Sequence, residues 1–376
     1  MTAAGPPIRW AAPDLGDDEI REVLATLRSG WISMGPRTQA FEEGVARMLG
    51  VAHAVATTSG TIALDLALGA MGIGPGDEVI VPAFTYVATV NAVTHVGATP
   101  VMVDVEPITL NLDAAAARAA IGPRTRAMIA IDYGGCAADY DALAALAAER
   151  NVLLLQDAAH SFGGDYRGRP PGTIGVGATL SFHVAKLITT GEGGMFVTDD
   201  ASLAERARTL RNQGEPPGAK YEFTMIGNNH RMTDLHAAIG LAQLPKIPRL
   251  LAGRRAAARW YREALADVPR IALLPEPSHV GHAYFLFSIL CADEEARDHA
   301  AAELAAAGIE TRICWPRPVY RQPAYSKHPG PRTPCPVAED AARRILSLPI
   351  HAALERDEVA RIATVIRGAL DGARRP

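Results

Sequence analysis

The stretch SFHVAKLITTGEGG, residues 181–194, places a single lysine between a predicted strand and a glycine-rich turn. The runs ATLSFH (178–183) and GMFVTD (194–199) on either side are short and apolar, as strands are. The GEGG turn permits a close backbone approach to a neighbouring group, because glycine has no Cβ. Taken alone, Lys186 is an ordinary surface lysine, and only the rest of the chain can assign it another role.

Five more runs of the same kind precede this stretch: HAVATT (53–58), DEVIVP (77–82), TPVMVDV (99–105), RAMIAIDY (126–133) and NVLLLQDA (151–158). Together they predict a seven-stranded sheet. Ala- and Leu-rich intervals of helical length, at 61–72, 84–96 and 139–150, separate several of the strands. This alternation predicts an α/β fold with a mostly parallel sheet covered on both faces.

The pattern changes after Gly214. A helix is predicted from Thr233 and a long Arg- and Ala-rich helix around 249–267. The apolar segments AYFLFSILC (283–291) and GIETRIC (308–314) follow, with helices at 296–307, 337–346 and 355–370 and a loop at 315–336 that holds seven prolines. We expect a large α/β domain over residues 1–248 and a smaller α+β domain over 249–376, with the hinge in the long helix.

The composition is that of a folded protein that acts on small molecules. Hydrophobic residues make up 48% of the 376 residues, and the net charge is −4 without any run of about five or more like charges, so neither nucleic acid nor an anionic membrane is an expected partner. The opening residues lack a signal-peptide pattern, and no apolar run could span a bilayer, which predicts a cytoplasmic location. The four cysteines lack CxxC spacing, and HVGH (279–282) has no completing ligands, so no metal site is expected.

Two features besides Lys186 fall where ligands bind in an open parallel sheet, beyond the carboxyl ends of the strands. Ser59, Gly60 and Thr61 follow the first strand and open a helix, whose free first-turn amides favour a phosphate. Asp157 ends a buried strand and needs a partner such as a ring nitrogen, with His160 three residues later. Each feature alone is as well explained by a helix cap or a structural side chain.

The combination favours one cofactor. Pyridoxal 5'-phosphate needs an anchor for its phosphate, one for its ring nitrogen and one for its aldehyde. A lysine with a lowered pKa forms Schiff bases with carbonyls, and a carboxylate can keep the ring nitrogen protonated. Ser59, Gly60 and Thr61 form what we call the hydroxyl cradle. This cradle, Asp157 and Lys186 supply the three anchors, each at a strand end.

Five stretches together resemble the DegT/DnrJ/EryC1/StrS sugar aminotransferases, which have the aspartate aminotransferase fold type I; they are SGTIALDLAL, VPAFTYVATVNAV, QDAAHSFGG, SFHVAKLITTGEGG and NNHRMTDLHAAIGLAQL. The resemblance runs from about residue 30 to residue 354. It implies a transaminase that takes an amino group from glutamate or glutamine and gives it to a nucleotide-linked keto sugar, an NDP-4-keto-6-deoxyhexose or a 3-keto analogue. It also implies a homodimer with shared active sites.

The resemblance assigns roles residue by residue. It implies that Lys186 carries the Schiff base, with Asp157 and His160 as the other catalytic residues. The implied cofactor-binding set is Ser59, Gly60, Thr61, Tyr86, Asp157, His160, Ser181, His183, Lys186 and Asn229, of which Asn229 comes from the neighbouring subunit. Arg231 and Trp315 are implied to face the substrate.

The chain departs from many relatives at substrate-facing positions. Asn228 and His230 of GNNHRM replace two tyrosines, and Cys314 and Trp315 stand where many relatives have His and Tyr. A tryptophan at 315 resembles members that act at C4 of the sugar. Two alternatives stay open: an aminotransferase for a keto-inositol, and a non-catalytic regulator that binds the same cofactor. A related dehydratase is disfavoured, because it has histidine in place of the lysine.

Overall fold

The computed structural model describes residues 6–371. The strands of this part are β1 (His53–Thr57), β2 (Glu78–Pro82), β3 (Thr99–Val103), β4 (Thr125–Ile131), β5 (Leu153–Asp157), β6 (Asp165–Tyr166), β7 (Gly177–Ser181), β8 (Gly194–Thr198), β9 (Ile271–Leu273), β10 (Val280–Gly281), β11 (Phe287–Cys291) and β12 (Ile345–Leu348). The helices are α1 (Asp17–Ser29), α2 (Pro36–Leu49), α3 (Gly60–Ala70), α4 (Val87–His95), α5 (Ala114–Ala120), α6 (Tyr140–Arg150), α7 (Ala201–Arg211), α8 (Asp234–Gln243), α9 (Ile247–Leu265), α10 (Glu294–Ala306), α11 (Pro336–Arg344) and α12 (Arg356–Asp371).

The main sheet has seven strands in the order β1-β8-β7-β5-β4-β2-β3. The strand β8 runs antiparallel to its neighbours β1 and β7, and the strands from β7 to β3 are parallel to one another. The predicted α/β fold is confirmed, and each predicted strand is present with its ends within two residues of the expected ones. The carboxyl ends of β4, β5 and β7 therefore lie side by side at one edge of the sheet.

Side-chain caps fix where several helices begin. The Ser59 hydroxyl accepts a hydrogen bond from the amide of Ile62 at 3.2 Å, so α3 begins three residues after β1 ends. Asp139 caps α6 and Thr233 caps α8 in the same way. The first of these caps places the amino end of a helix at the edge of the sheet where ligands bind.

The C-terminal part is built on a smaller antiparallel sheet in the order β12-β11-β9, which packs against α9, α10 and α12. Its sequence-based predictions were partly wrong. The predicted helix 337–346 ends at Arg344, because the apolar ILSL that follows pairs with β11. The segment 308–314 forms only isolated bridges, between Ile309 and Ile8 and between Arg312 and Ser347. The division at residues 248 and 249 stays a prediction.

The segment predicted as a loop, 315–336, contains two short 3₁₀ turns, Val319–Arg321 and Pro323–Tyr325.

Across residues 6–371, no helix combines the length and the apolar character that crossing a membrane requires.

One buried carboxylate ties together the elements next to the site. Asp132, fully buried after β4, accepts hydrogen bonds from the Tyr140 hydroxyl at 2.6 Å, the Gln156 amide at 2.8 Å, the Ser161 hydroxyl at 2.5 Å and the Ala138 backbone at 3.1 Å. Burial raises the pKa of this carboxyl to about 6, so it is ionised at pH 8. Its four bonds hold β4, β5 and α6 in register.

We predict that Asp132→Asn lowers the free energy of unfolding by about 1–3 kcal/mol at pH 8, because the new amide turns a donor toward groups that already donate. Urea unfolding followed by circular dichroism measures the change. The matched control is Asp17→Asn, at an exposed position in α1. Equal stability of the two variants would show that the Asp132 bonds do not hold the sheet edge.

Candidate active site

A cavity of about 470 Å³ lies at the carboxyl edge of the main sheet. It brings together ten of the predicted site residues: Ser59, Gly60, Thr61, Tyr86, Asp157, His160, Ser181, His183, Lys186 and Trp315. These residues come from sequence positions more than 250 residues apart. A larger groove of about 900 Å³ runs along α2 and β1 and contains none of the predicted residues. The smaller cavity is therefore the candidate site.

One end of the cavity is suited to an anion. The first turn of α3 leaves backbone N–H groups unpaired, and the positive end of the helix dipole points the same way. A Cβ on Gly60 would lie 2.8 Å from the Cβ of Ser181, and a Cβ on Gly194 would lie 2.2 Å from the carbonyl oxygen of Ser59. Only glycine allows β7, β8 and the start of α3 to come this close. The hydroxyls of Ser59, Thr61 and Ser181 surround the resulting cradle.

Asp157 lines the cavity at the end of β5 and is only 3% exposed. One carboxylate oxygen accepts from the Thr89 hydroxyl at 2.8 Å and the other from the Ala159 amide at 3.2 Å. Thr85 in turn contacts the Thr89 hydroxyl at 3.0 Å. Burial raises the pKa of Asp157, and these two hydrogen bonds and the positive charge of Lys186 partly offset the rise. Each oxygen retains acceptor capacity for a further donor.

Lys186 lies in the turn that follows β7, and its amine is held in an environment that favours the neutral form. The pKa of Lys186 is lowered to about 7: burial is the main cause and the charge of Arg254 adds to it, while the charge of Asp157 opposes both. The Nζ atom lies 3.9 Å from the ring centroid of Phe285. At neutral pH a substantial fraction of this amine is unprotonated and nucleophilic.

Aromatic side chains form one wall of the cavity. The Tyr86 ring lies 5.0 Å from that of Trp315, and the His160 ring stacks on Phe285 at 4.1 Å. The Nδ1 atom of His160 accepts from the Gly134 amide at 3.3 Å. Burial and the nearby charge of Lys186 hold the pKa of His160 well below its usual value, so the imidazole is neutral. Aromatic side chains of this kind can stack on a flat ring.

Asn229 and Arg231 do not line this cavity within the described residues. Asn229 is exposed and bridges to Asn212, whose side-chain oxygen accepts from Arg231 at 2.8 Å. Both lie just after the exposed loop 215–226. A single chain thus leaves these two predicted residues outside the site.

Sequence reasoning gave no role to several residues that line the cavity: Trp10, Thr89, Glu192, Phe285 and Arg312. Cys314, noted above as a departure at a substrate-facing position, lines it as well. Thr89 had a usable signal, since it lies one helical turn from Thr85 in the stretch that contains Tyr86. Trp10 and Phe285 lie in segments with no motif. Phe285 belongs to the C-terminal part, and Trp10 is held beside it because the N-terminal segment pairs with that part, through the bridge between Ile8 and Ile309.

Comparison with known proteins identifies the family of this chain. Residues 13–367 match the model of the DegT/DnrJ/EryC1/StrS aminotransferase family. The chain belongs to this family. The similarity to the GDP-perosamine synthase of Caulobacter vibrioides is 41% identity, which covers 96% of this chain and 98% of the relative. A UDP-N-acetyl-3-dehydro-alpha-D-glucosamine 3-aminotransferase of Acidithiobacillus ferrooxidans is also 41% identical, over 95% of each chain.

The solved structures of family members agree in fold. Streptomyces venezuelae DesV, in complex with a ketimine intermediate, superposes with a TM-score of 0.90 at 38% identity over 95% of each chain. The pyridoxal phosphate form of Spr1654 from Streptococcus pneumoniae gives a TM-score of 0.93 at 31% identity, over 98% of each chain. The chain described here, as a member of this family, is therefore an aminotransferase of the pyridoxal phosphate-dependent class.

We predict that Lys186 is acylated with a midpoint near pH 7 in the full-length protein freed of cofactor, where the pKa of this amine is lowered to about 7. Asp157→Asn should move the midpoint lower still, because the charge that favours the ammonium is gone. Acylation rates measured by mass spectrometry across pH give both values, with the exposed Lys327 as the reference in the same sample.

The control is Asp357→Asn, at an exposed position in α12, which should leave the midpoint unchanged. A Lys186 profile that coincides with that of Lys327, or one that Asp157→Asn does not move, would contradict the shared environment of the two groups.

Proposed function

We propose that this chain transfers an amino group from glutamate or glutamine to a nucleotide-linked keto sugar, an NDP-4-keto-6-deoxyhexose or a 3-keto analogue. The observation that carries the proposal is the meeting of the hydroxyl cradle, Asp157 and Lys186 in one cavity. The names of the relatives support the sugar: two of them, each 41% identical, are named for GDP- and UDP-linked amino sugars.

The residues present fit pyridoxal 5'-phosphate. The cradle at the start of α3 offers backbone and hydroxyl donors from Ser59, Gly60, Thr61 and Ser181. The acidic residues that line the same cavity are Asp157 and Glu192, and the Glu192 carboxylate lies 4.0 Å from the His183 ring. Asp157 has spare acceptor capacity, and Lys186 has a lowered pKa. We assign the phosphate to the cradle, the ring nitrogen to Asp157 and the aldehyde to Lys186. His183 lines the same cavity and completes the proposed cofactor-binding set of this chain.

When bound, the cofactor supplies a carbonyl that binds amines covalently and a ring that accepts electrons. Thr89 orients the Asp157 carboxylate, which would hold a proton on the ring nitrogen. The free amine of Lys186 would remove the proton from the carbon that bears the nitrogen of the amino donor and would later return a proton to the carbon of the sugar. Tyr86 and His160 would restrict the tilt of the ring and so align the bond to be broken.

The substrate side of the cavity carries Trp315 and Arg312. The proposed sugar lies against the Trp315 ring, where an apolar face suits a deoxysugar. Both substrates carry anionic groups, a carboxylate on the amino donor and a diphosphate on the nucleotide sugar. Arg312, half exposed at this side of the cavity, is a cation whose guanidinium lies 4.0 Å from the Glu310 carboxylate. This end of the cavity is therefore suited to negatively charged substrates.

We expect the amine-loaded form of the enzyme to transfer its nitrogen to one class of ketone only. A panel of GDP-, dTDP- and UDP-linked 4-keto and 3-keto sugars, with scyllo-inosose beside them, is scored by the mass of the aminated product. Lys186→Ala should lower turnover by at least about 10⁴-fold, because both the covalent attachment of the cofactor and the proton transfer need this amine.

If scyllo-inosose were the only ketone aminated, the substrate would be a keto-cyclitol and not the proposed nucleotide-linked sugar. A protein that binds the cofactor but aminates no ketone would be a regulator. Full turnover by Lys186→Ala would contradict the assignment of the lysine.

We also propose a homodimer whose active sites are shared. Exposed apolar side chains support it: Ile20, Leu24 and Leu27 lie on one face of α1 and are between 44% and 58% exposed. A second group, Tyr221, Phe223 and Ile226, projects from the loop just before Asn229. A partner chain that covers these surfaces would bring its Asn229 and Arg231 to the cavity described above.

Subunit mixing tests the shared site. Lys186→Ala and Asn229→Ala should each be impaired alone, whereas a 1:1 mixture that has exchanged subunits should regain about a quarter of wild-type turnover, because half of the dimers are hybrids with one intact site. A mixture of Lys186→Ala with Asp157→Asn is the control, since both changes fall in the same chain's half of the site. No gain in the first mixture would contradict a shared site.

A further inference from the structure

Arg254 of α9 is a buried cation next to the candidate site, and the aminotransferase reaction as described does not use it. It is only 4% exposed. Its guanidinium donates to the carbonyl oxygen of Lys186 at 3.0 Å, to that of Ala185 at 3.3 Å and to that of Tyr284 at 3.1 Å. One side chain thus joins the lysine turn, the long helix α9 and the segment that leads into β11.

Among the described residues, Arg254 has no carboxylate partner. Its guanidinium donates to backbone carbonyls, and burial lowers its pKa to about 10. Other buried arginines of the chain are paired, as Arg211 is with Glu42 and Arg297 with Glu294. Burying an unpaired charge is costly. A requirement at this position must offset that cost.

The three carbonyls identify the requirement. Lys186 supplies the amine and Tyr284 directly precedes Phe285, whose ring lies 3.9 Å from the Lys186 Nζ atom. The planar fork of a guanidinium can hold both backbones at fixed positions, which the single ammonium of a lysine cannot. Arg254 therefore sets the position of the amine and of the aromatic face beneath it.

We propose that Arg254 is a positioning residue that fixes the Lys186 turn over Phe285 and, through its unpaired charge, keeps the Lys186 amine in the neutral, nucleophilic form. This proposal rests on the proposed function in one respect: the transfer of an amino group is what requires a nucleophilic amine at Lys186.

The other groups near Lys186 determine the sign of the expected effect. Asp157 favours the ammonium, Cys314 does so to a smaller extent, and His160 is neutral. Arg254 is the cation that opposes them. Removing its charge, and admitting water where its side chain stood, should both raise the pKa of Lys186.

The test measures the acylation midpoint of Lys186 by mass spectrometry in the full-length, cofactor-free protein. Arg254→Gln, which keeps a donor but no charge, should raise the midpoint by about 1 pH unit. Arg254→Met should raise it at least as far. In Arg254→Lys the midpoint should stay within about 0.3 pH units of the wild type, because the charge is kept. The acylation rate of Lys186 should be more variable, because a lysine lacks the planar guanidinium that holds both backbones. Circular dichroism establishes that each variant is folded, and Arg254→Gln decides the matter if Arg254→Met does not fold.

The matched control is Arg297→Met, which replaces an equally buried arginine, 4% exposed, in α10. It should leave the Lys186 midpoint unchanged. An unchanged midpoint in Arg254→Gln, or an equal rise in Arg254→Lys, would overturn the proposal. The readout uses neither cofactor nor sugar, so it gives its answer even if the proposed substrate is wrong.

Discussion

The structure depends on one constraint: a buried carboxylate, Asp157, and a partly buried amine, Lys186, share one cavity. Burial favours the neutral form of each, whereas their mutual attraction favours the charged forms. Burial dominates the pKa of both groups. The amine is therefore available as a nucleophile. The carboxylate is stabilised by a hydrogen bond from a proton donor, such as a protonated ring nitrogen. The neighbours of the pair adjust this balance: Thr89 donates to the carboxylate, and Arg254 opposes the ammonium.

The topology is what brings the pair together. Asp157 ends β5, and Thr179 of the adjacent parallel strand β7 lies directly opposite it, so the turn that carries Lys186 begins two residues beyond that pair. The cap at Ser59 places the start of α3 at the same edge. Parallel strands deliver their carboxyl ends to one side of a sheet, and three short loops then suffice to assemble anchors that are distant in sequence.

The sequence predicted what local physics determines. Strands buried on both faces are continuous apolar runs, and the Ser59 cap and Asp157 stand at recognisable strand ends. The helix expected to reach residue 346 was too long, because no Gly or Pro separates its Ala- and Arg-rich end from β12. Phe285 and Arg254 could not be found, because nothing in their own segments indicates that they contact Lys186. Their role arises from tertiary packing of the C-terminal part.

The central claim is that both groups hold the same heterocycle, and a crystal structure of the protein with pyridoxal 5'-phosphate tests it most directly. The account predicts continuous density from the Lys186 Nζ atom to the cofactor, an Asp157 oxygen about 2.7–2.9 Å from the ring nitrogen, as in charge-assisted hydrogen bonds, and the phosphate at the start of α3. A cofactor bound elsewhere, or one whose ring nitrogen lies beyond hydrogen-bond reach of Asp157, would contradict it.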